Sequence, residues 1–147
     1  MKLLTRKYNI NAQLEHVHYC FSDIDYIYNK ITTINDVRNI RVIKNNNELE
    51  FVGETTLFKL TDIETIPLKQ LKVKVIPTSN KLKRLGTATI ICDFSSNNET
   101  TQVETNFISN MSPNIFWRIF IKAIVFILFL QSRTIEKQYI NEIEKIA

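Results

Sequence analysis

The sequence predicts an α+β domain in which a meander of antiparallel strands precedes one long C-terminal helix. Through the middle of the chain, apolar and polar residues alternate with a period of two, most plainly in "LKVKV" at 71–75, which is typical of a strand with one dry and one wet face. The segment after residue 112 has apolar residues at helical spacing and no glycine. Strands and helices segregated along the chain in this way define the α+β class. A length of 147 residues suits a single domain spanning 1–147.

Before the meander we expect one strand, from about Leu3 to Ile10, and two short helices. The first helix is "AQLEHVHYCF" at 12–21, with Asn11 as its cap, and the second is "DIDYIYNKI", with Asp23 as its cap. Asn and Asp are favoured at these positions because their side chains accept hydrogen bonds from the free N–H groups of the first turn.

The meander is expected to contain about six strands and to begin near Ile40. Its clearest strands are "ELEFVGET", "LKVKV", "RLGTATIICDF" and "TQVETNFIS". Short connections rich in Asn, Ser or Pro separate them, at 45–47, Pro67, 77–80 and 95–98. Because the chain has two glycines, we expect Asn to supply most of the tight turns. Sheets with one wet face are usually antiparallel.

The most apolar stretch of the chain is "IFWRIFIKAIVFILFL" at 115–130. As a helix it would be roughly 24 Å long, which is short of the roughly 30 Å hydrocarbon core of a bilayer. Arg118 and Lys122 would each cost roughly 2.5–3.5 kcal/mol inside lipid. We therefore expect a long helix packed on the sheet, with Ser112 as N-cap and Pro113 in its first turn, continuing to the end of the chain.

A projection of this helix at about 100° per residue separates an inner, apolar side from an outer, charged side. The inner side contains Trp117, Phe120, Ile121, Ile124, Ile127, Leu128 and Ile135, and the outer side contains Arg118, Lys122, Arg133, Glu136 and Lys137. Four apolar residues lie among these charges: Ile115, Phe126, Phe129 and Ile140. Phe126 and Phe129 are close together. Because neighbouring exposed phenylalanines indicate a contact surface, we expect them to form a homodimer interface or to touch a membrane surface.

The composition argues against several classes of partner and site. The net charge of +4 is carried by dispersed lysines without interleaved aromatic residues, so we expect no nucleic-acid partner. The N-terminus "MKLLTRKYNI" does not resemble a signal peptide, so we expect a cytoplasmic protein. Cys20 and Cys92 are then expected to be reduced thiols, and neither has a metal-binding spacing.

Few residues have a pattern typical of catalysis. His16 and His18 lie about 200° apart on a helix and are not expected to share a metal ion; we expect one to be exposed and the other to lie at the rim of the core. No serine has the surroundings of a hydrolase nucleophile, and there is no glycine-rich phosphate loop. We therefore expect no catalytic residue, no metal, no cofactor and no enzymatic activity.

The order of elements resembles the helix-grip superfamily, which includes START-related (SRPBCC) lipid-binding domains, polyketide cyclase-like proteins and the birch pollen allergen (Bet v 1-like) type. The resemblance covers essentially the whole chain. It is carried by "YNINAQLEHVHYCFSDIDYIYNKI", by "IETIPLKQLKVKVI", and by "LGTATIICDF" followed by "TQVETNFIS" and "SPNIFWRIF". It implies a strongly curved antiparallel sheet of about seven strands that wraps around the long C-terminal helix, with a cavity between them.

The positions expected to face this cavity are almost all apolar. The ligand-binding residues that we predict are Tyr28, Phe51, Val73, Val75, Ile90, Phe94, Phe107, Trp117, Phe120, Ile124, Ile127, Leu128 and Gln131. Few polar side chains are expected to enter the space, among them Thr105 and His18. Such a pocket suits a long apolar ligand with a small polar head.

The function expected from this lining is that of a carrier or sequestering protein for a fatty-acid-like lipid, an isoprenoid or a polycyclic compound. One alternative is a cyclase- or hydratase-type enzyme with the same fold, which would need an ionisable residue facing the cavity. The other is an interaction module that acts through the outer face of the long helix, as superfamily members associated with quinone carriers or ribosomes imply.

Overall fold

The computed structural model describes residues 2–33, 41–52, 57–78, 86–109 and 136–145. A strand, two short helices, six further strands and a C-terminal helix follow one another, as the sequence predicts. The elements are β1 (Lys2–Ile10), α1 (Leu14–Ser22), α2 (Ile24–Thr33), β2 (Arg41–Asn45), β3 (Glu48–Val52), β4 (Leu57–Ile66), β5 (Gln70–Pro77), β6 (Ala88–Asn97), β7 (Thr100–Ser109) and the helical residues 136–145, called α3. The predicted helix start at Ser112 and Pro113 and the apolar stretch 115–130 lie outside the described residues.

All seven strands join in one antiparallel sheet with the order β1-β7-β6-β5-β4-β3-β2. Strands β2 to β7 pair with their neighbours in sequence, and β1 adds to the edge of β7. A register irregularity interrupts β4 between Thr61 and Glu64, where Asp62 has a φ of 52°. Irregularities of this kind increase the local twist of a sheet.

The register places one set of side chains on the face that we call the inner face, which packs against the helices. Side chains alternate between faces along a strand, so the partners in register share a face. The inner face contains Arg6, Tyr8, Ile10, Leu49, Leu60, Leu71, Val73, Val75, Ala88, Ile90, Cys92, Phe94, Val103, Thr105 and Phe107.

The core lies between the inner face and the three helices. Val17 and Cys20 of α1 and Ile143 of α3 are completely buried, together with Ile10 and Val103 of the sheet. Each fully buried aliphatic side chain of this size stabilises the fold by about 1.5–3 kcal/mol relative to exposure. Both cysteines are free thiols.

The two predicted helix caps have different outcomes. The carboxylate of Asp23 accepts a hydrogen bond from the Tyr26 N–H at 2.8 Å, so Asp23 caps α2 as predicted. The prediction for Asn11 is wrong, because α1 begins at Leu14 and its N-cap is Gln13, which makes no side-chain cap bond. A tight turn follows β1, in which the Ala12 N–H donates to the Ile10 carbonyl at 2.9 Å. Because Asn11 lies in this turn, the helix begins further along the chain than expected.

Asparagine supplies left-handed turn positions, as expected. Asn46 and Asn98 have φ values of 53° and 59°. The predicted turn at 95–98 starts later, because β6 continues to Asn97. The turn after Pro67 is less usual, since Leu68 has a φ of 61° and the Lys69 N–H donates to the Ile66 carbonyl at 3.0 Å.

Candidate functional site

Helix α3 is held against β1 and α1 by hydrogen bonds as well as by packing. Tyr139 packs against the core, and its hydroxyl donates to the Cys20 carbonyl. The His16 Nε2–H donates to the Ile143 carbonyl at 3.1 Å, and the Asn11 backbone N–H donates to the Glu144 carboxylate at 3.1 Å. These contacts hold the described part of the C-terminal helix on α1 and on Asn11, which follows β1.

A charged cluster lies where the first described turn of α3 meets the inner face. The Arg6 guanidinium forms an ion pair with Glu136 Oε2, and the Tyr8 hydroxyl donates to the same oxygen at 2.7 Å. The side chains of Arg6 and Glu136 keep 20% and 26% of their accessible surface. We call these three residues the Arg6–Tyr8–Glu136 cluster.

The cluster combines a cation, an anion and a neutral donor. Burial, and next the hydrogen bond to Glu136, raise the pKa of Tyr8 to about 12, so its hydroxyl stays protonated at neutral pH. Arginine is always charged in proteins. Both contacts to the carboxylate converge on Oε2, and within the described ranges Glu136 Oε1 has no hydrogen-bond partner.

The positions of Glu136 and Ile140 correct the helical projection, which placed both residues on the outer, wet side. Ile140 packs against the buried core. Glu136 and Ile143 are seven residues apart, which is two turns and an offset of about 20° on a helix. Ile143 is completely buried, so Glu136 lies on the same inward side, where Arg6 neutralises it. Lys137 is exposed, as expected.

Sequence reasoning missed Arg6 and Tyr8 as inner-face residues, although a signal for them existed. Both alternate with Ile10 along β1, and Ile10 is completely buried. Two-residue alternation therefore assigns Arg6 and Tyr8 to the inner face. The inner face is not uncharged, contrary to the expected lining.

A polar row continues from the cluster across the sheet. Thr105 lies opposite Arg6 on β7, and Cys92 lies opposite Thr105 on β6, with 3.6 Å between Cys92 Sγ and Thr105 Oγ1. Burial raises the pKa of the Cys92 thiol to about 11. The thiol is therefore protonated and unreactive at neutral pH.

Aromatic rings pack between α1 and the inner face. The His18 and Phe21 rings meet the Phe94 ring edge-on, with centroid distances of 5.1 and 5.7 Å, and Phe21 also contacts Tyr139 at 5.9 Å. His18 thus enters the interior, as expected. His16 and His18 are both half-buried, so the expectation that one of them is exposed is wrong. His16 is covered because it bonds to the end of α3.

Two polar atoms beside these rings are buried and have no hydrogen-bond partner within the described residues. They are His18 Nε2 and the Tyr26 hydroxyl oxygen. Buried polar groups are usually hydrogen-bonded. Burial also raises the pKa of Tyr26 and of the nearby Cys20 thiol, so both stay protonated at neutral pH.

The structure brings five of the predicted ligand-binding residues together on the inner face. Val73 and Phe94 are buried there, and Val75, Ile90 and Phe107 are half-buried. Tyr28 is half-buried on α2. The backbone of Phe51 pairs with that of Phe58, but its side chain is not described. The remaining predicted positions lie outside the described residues: Trp117, Phe120, Ile124, Ile127, Leu128 and Gln131, as well as Phe126 and Phe129.

A surface depression at the β2–β3 turn differs from the expected site. It is open and mostly polar, and it is lined by Asn45, Asn46, Asn47, Glu48, Thr61, Asp62 and Ile63. An apolar ligand would gain little there, because binding sites for such ligands are concave and lined mainly by apolar side chains.

In the described parts of the chain, no group of three or more His, Cys, Asp or Glu side chains is arranged to hold a metal ion. No helix within them has the length and apolar character needed to cross a bilayer.

Comparison with known proteins identifies the fold. No protein-family model matches the sequence, and no curated protein matches it. Solved structures do match: Ara h 8.0201 has 9% identity and a TM-score of 0.63, covering 95% of each chain. Protein Ms6760 from Mycobacterium smegmatis has 10% identity and a TM-score of 0.61, covering 97% of this chain and 88% of the other. A protein from Staphylococcus epidermidis has 9% identity and a TM-score of 0.63, covering 97% of this chain and 87% of the other.

These likenesses, together with the seven-stranded antiparallel sheet, place the chain in the α+β class with the helix-grip fold. The resemblance found in the sequence is thereby confirmed at the level of the fold. At identities near 10% the match does not carry function from one protein to another.

Proposed function

We propose that this protein binds a hydrophobic small molecule between the inner face and the C-terminal helix, as a carrier or sequestering protein. The observation that supports the proposal most is the pair Ile90 and Phe107. These side chains lie opposite each other on the inner face, and both remain half-buried. Because Ile90 and Phe107 keep apolar surface on the inner face, they are suited to contact an apolar ligand.

The expected affinity follows from the apolar area that a ligand would bury. Each CH₂ group removed from water contributes about 0.8 kcal/mol, so a chain of ten or more groups gains enough to offset its immobilisation and bind with roughly micromolar affinity. Fatty-acid-like lipids, isoprenoids and polycyclic compounds all present this amount of apolar surface. The cytoplasmic location and the contact through Phe126 and Phe129 stay predictions from the sequence.

Two substitutions at neighbouring positions test the proposal. Ile90 points to the inner face and Ile91 to the outer face, where Ile91 pairs with Lys72 and Asn106. Titration calorimetry of delipidated protein with lipids, isoprenoids and ring compounds should detect binding. Ile90→Trp should weaken it at least tenfold by filling the space, whereas Ile91→Trp should leave it unchanged. Failure of every compound to bind, or equal effects of the two changes, would contradict the proposal.

The Arg6–Tyr8–Glu136 cluster also favours a second candidate, an enzyme of the cyclase or hydratase type. Such an enzyme needs an ionisable residue beside the ligand, and the cluster places the Glu136 carboxylate beside the Tyr8 hydroxyl. Mass spectrometry of bound ligand after prolonged incubation distinguishes the two functions. A carrier returns its ligand chemically unchanged. An enzyme forms a product, at a rate that Tyr8→Phe should reduce.

A further inference from the structure

We infer that the Arg6–Tyr8–Glu136 cluster is the polar end of the ligand site and that it selects a neutral apolar molecule with a hydroxyl group over one with a carboxylate. Long-chain alcohols, isoprenoid alcohols and phenols belong to the selected class. The inference rests on the proposed function and adds the chemistry of the ligand head group.

The cluster directly adjoins the apolar surface that would hold the rest of the ligand. Arg6 lies opposite Thr105 on β7, and the next inner-face residue along β7 is Phe107, which lies opposite Ile90. One such step of two residues covers about 6.6–6.8 Å. A ligand whose tail lies on Ile90 and Phe107 therefore has its head group within reach of the cluster.

The charges of the cluster favour a neutral head group. Arg6 and Glu136 neutralise each other, and Tyr8 stays protonated because burial and the Glu136 hydrogen bond hold its pKa at about 12. A ligand carboxylate would meet a second carboxylate and would have to share the one guanidinium of the cluster. Like charges that share a site repel each other strongly when they are partly buried.

The hydrogen-bonding capacity of Glu136 points to a donor on the ligand. Arg6 and Tyr8 both bind Oε2, and Oε1 has no partner within the part of the chain that the structure describes. The Glu136 side chain keeps 26% of its accessible surface. A ligand hydroxyl is suited to donate to this oxygen, and hydrogen bonds to an ionised acceptor are stronger than neutral ones.

A different result is expected if the cluster has only a structural role. An ion pair that only docks α3 onto β1 would affect stability without affecting the choice between two ligands that share the same tail. The test is therefore the ratio of two affinities, measured with dodecan-1-ol and dodecanoate at pH 8 in the delipidated protein. Displacement of a fluorescent apolar probe gives both affinities.

The native protein should bind dodecan-1-ol at least tenfold more tightly than dodecanoate. Glu136→Gln removes the negative charge that would oppose a ligand carboxylate at this end of the site, so the ratio should fall at least tenfold. Glu142→Gln is the matched control, because Glu142 lies on the same helix and pairs instead with Lys30 and Lys145. This change should leave the ratio as it is.

Circular dichroism establishes that the variants are folded. If Glu136→Gln fails to fold, the double change Arg6→Gln with Glu136→Gln removes both charges of the ion pair. The ratio should again fall, because no carboxylate of the cluster then opposes that of the ligand. Tighter binding of dodecanoate to the native protein, or a ratio that the folded variant does not alter, would overturn the inference while leaving the proposed function intact. Absence of binding by both compounds would overturn the inference, and the proposed function would fail with it only if the whole calorimetry panel also failed to bind.

Discussion

The Arg6 guanidinium and the Glu136 carboxylate, which are 130 positions apart in sequence, form an ion pair that joins the first strand to the C-terminal helix. The Tyr8 hydroxyl donates to the same carboxylate oxygen. The contact holds the first described turn of α3 on β1. Ile143 and Glu144 hold the last described turn on His16 of α1 and on Asn11. The ion pair therefore contributes to the position of the helix that faces the sheet.

Loss of the Glu136 carboxylate should destabilise the protein. Glu136→Ala leaves the partly buried Arg6 without this partner, and we expect a loss of about 1–3 kcal/mol in the free energy of unfolding, toward the lower end because solvent screens part of the interaction. Urea denaturation measures the change. Lys137→Ala, at an exposed position of the same helix, should have little effect. Equal urea midpoints for the two variants would argue against a structural role for the pair.

Stability should decrease at high pH through the ionisation of Tyr8. Its folded pKa of about 12 lies above its unfolded value of about 10. The contribution of Tyr8 is therefore fully present below pH 10 and is lost as the pH rises toward 12. Since Tyr8 is half-buried, we expect a loss of roughly 1 kcal/mol. Urea midpoints between pH 9 and 12 should fall less steeply in Tyr8→Phe than in the native protein; parallel slopes would contradict this prediction.

Relief of the unusual backbone at Leu68 should stabilise the protein. A non-glycine residue in the left-handed region costs roughly 1–2 kcal/mol, and the exposed Leu68 has a φ of 61°. Leu68→Gly should raise the free energy of unfolding by about 1 kcal/mol after the larger chain entropy of glycine is subtracted. Asn46→Gly is the control, because asparagine already tolerates this conformation, and it should change stability by only a few tenths of a kcal/mol. Destabilisation by Leu68→Gly would contradict the reasoning.

Phe126 and Phe129 stay a prediction from the sequence, since they lie outside the described residues. If they form a contact surface, Phe126→Ser combined with Phe129→Ser should leave folding intact and shift a dimer toward monomer or abolish binding to lipid vesicles. Sedimentation and vesicle flotation measure these effects. A native protein that is monomeric and does not bind vesicles would show that this surface has neither role.

The sequence predicts the order of elements well because each element has its own local signal. Period-two alternation marks β5 to β7, and Asp23 marks the start of α2. Asn46 and Asn98 mark turns, although the strand before Asn98 runs further than expected. Such signals depend on neighbouring residues, so they can be read without the tertiary structure.

The polar part of the candidate site is harder to predict because it depends on contacts between distant residues. A helical projection based on Trp117 places Glu136 on the solvent-exposed side of the helix. The burial of Ile143 in the structure shows which side of α3 faces inward. A charged residue can lie on that side when a partner neutralises it, and that partner, Arg6, is on the first strand. Similarly, His16 is covered because the end of α3 reaches it.

The most direct test of ligand binding on the inner face is an NMR titration of the isotopically labelled protein with dodecan-1-ol. Ile90 and Val75 lie on the inner face, whereas Ile91 and Ile108 lie on the outer face of the same sheet. Binding as proposed should shift the methyl signals of Ile90 and Val75 in a saturable manner and produce direct contacts between them and the alkyl chain. The signals of Ile91 and Ile108 should change little. Shifts confined to Ile91 and Ile108, or the absence of any saturable shift, would contradict the account.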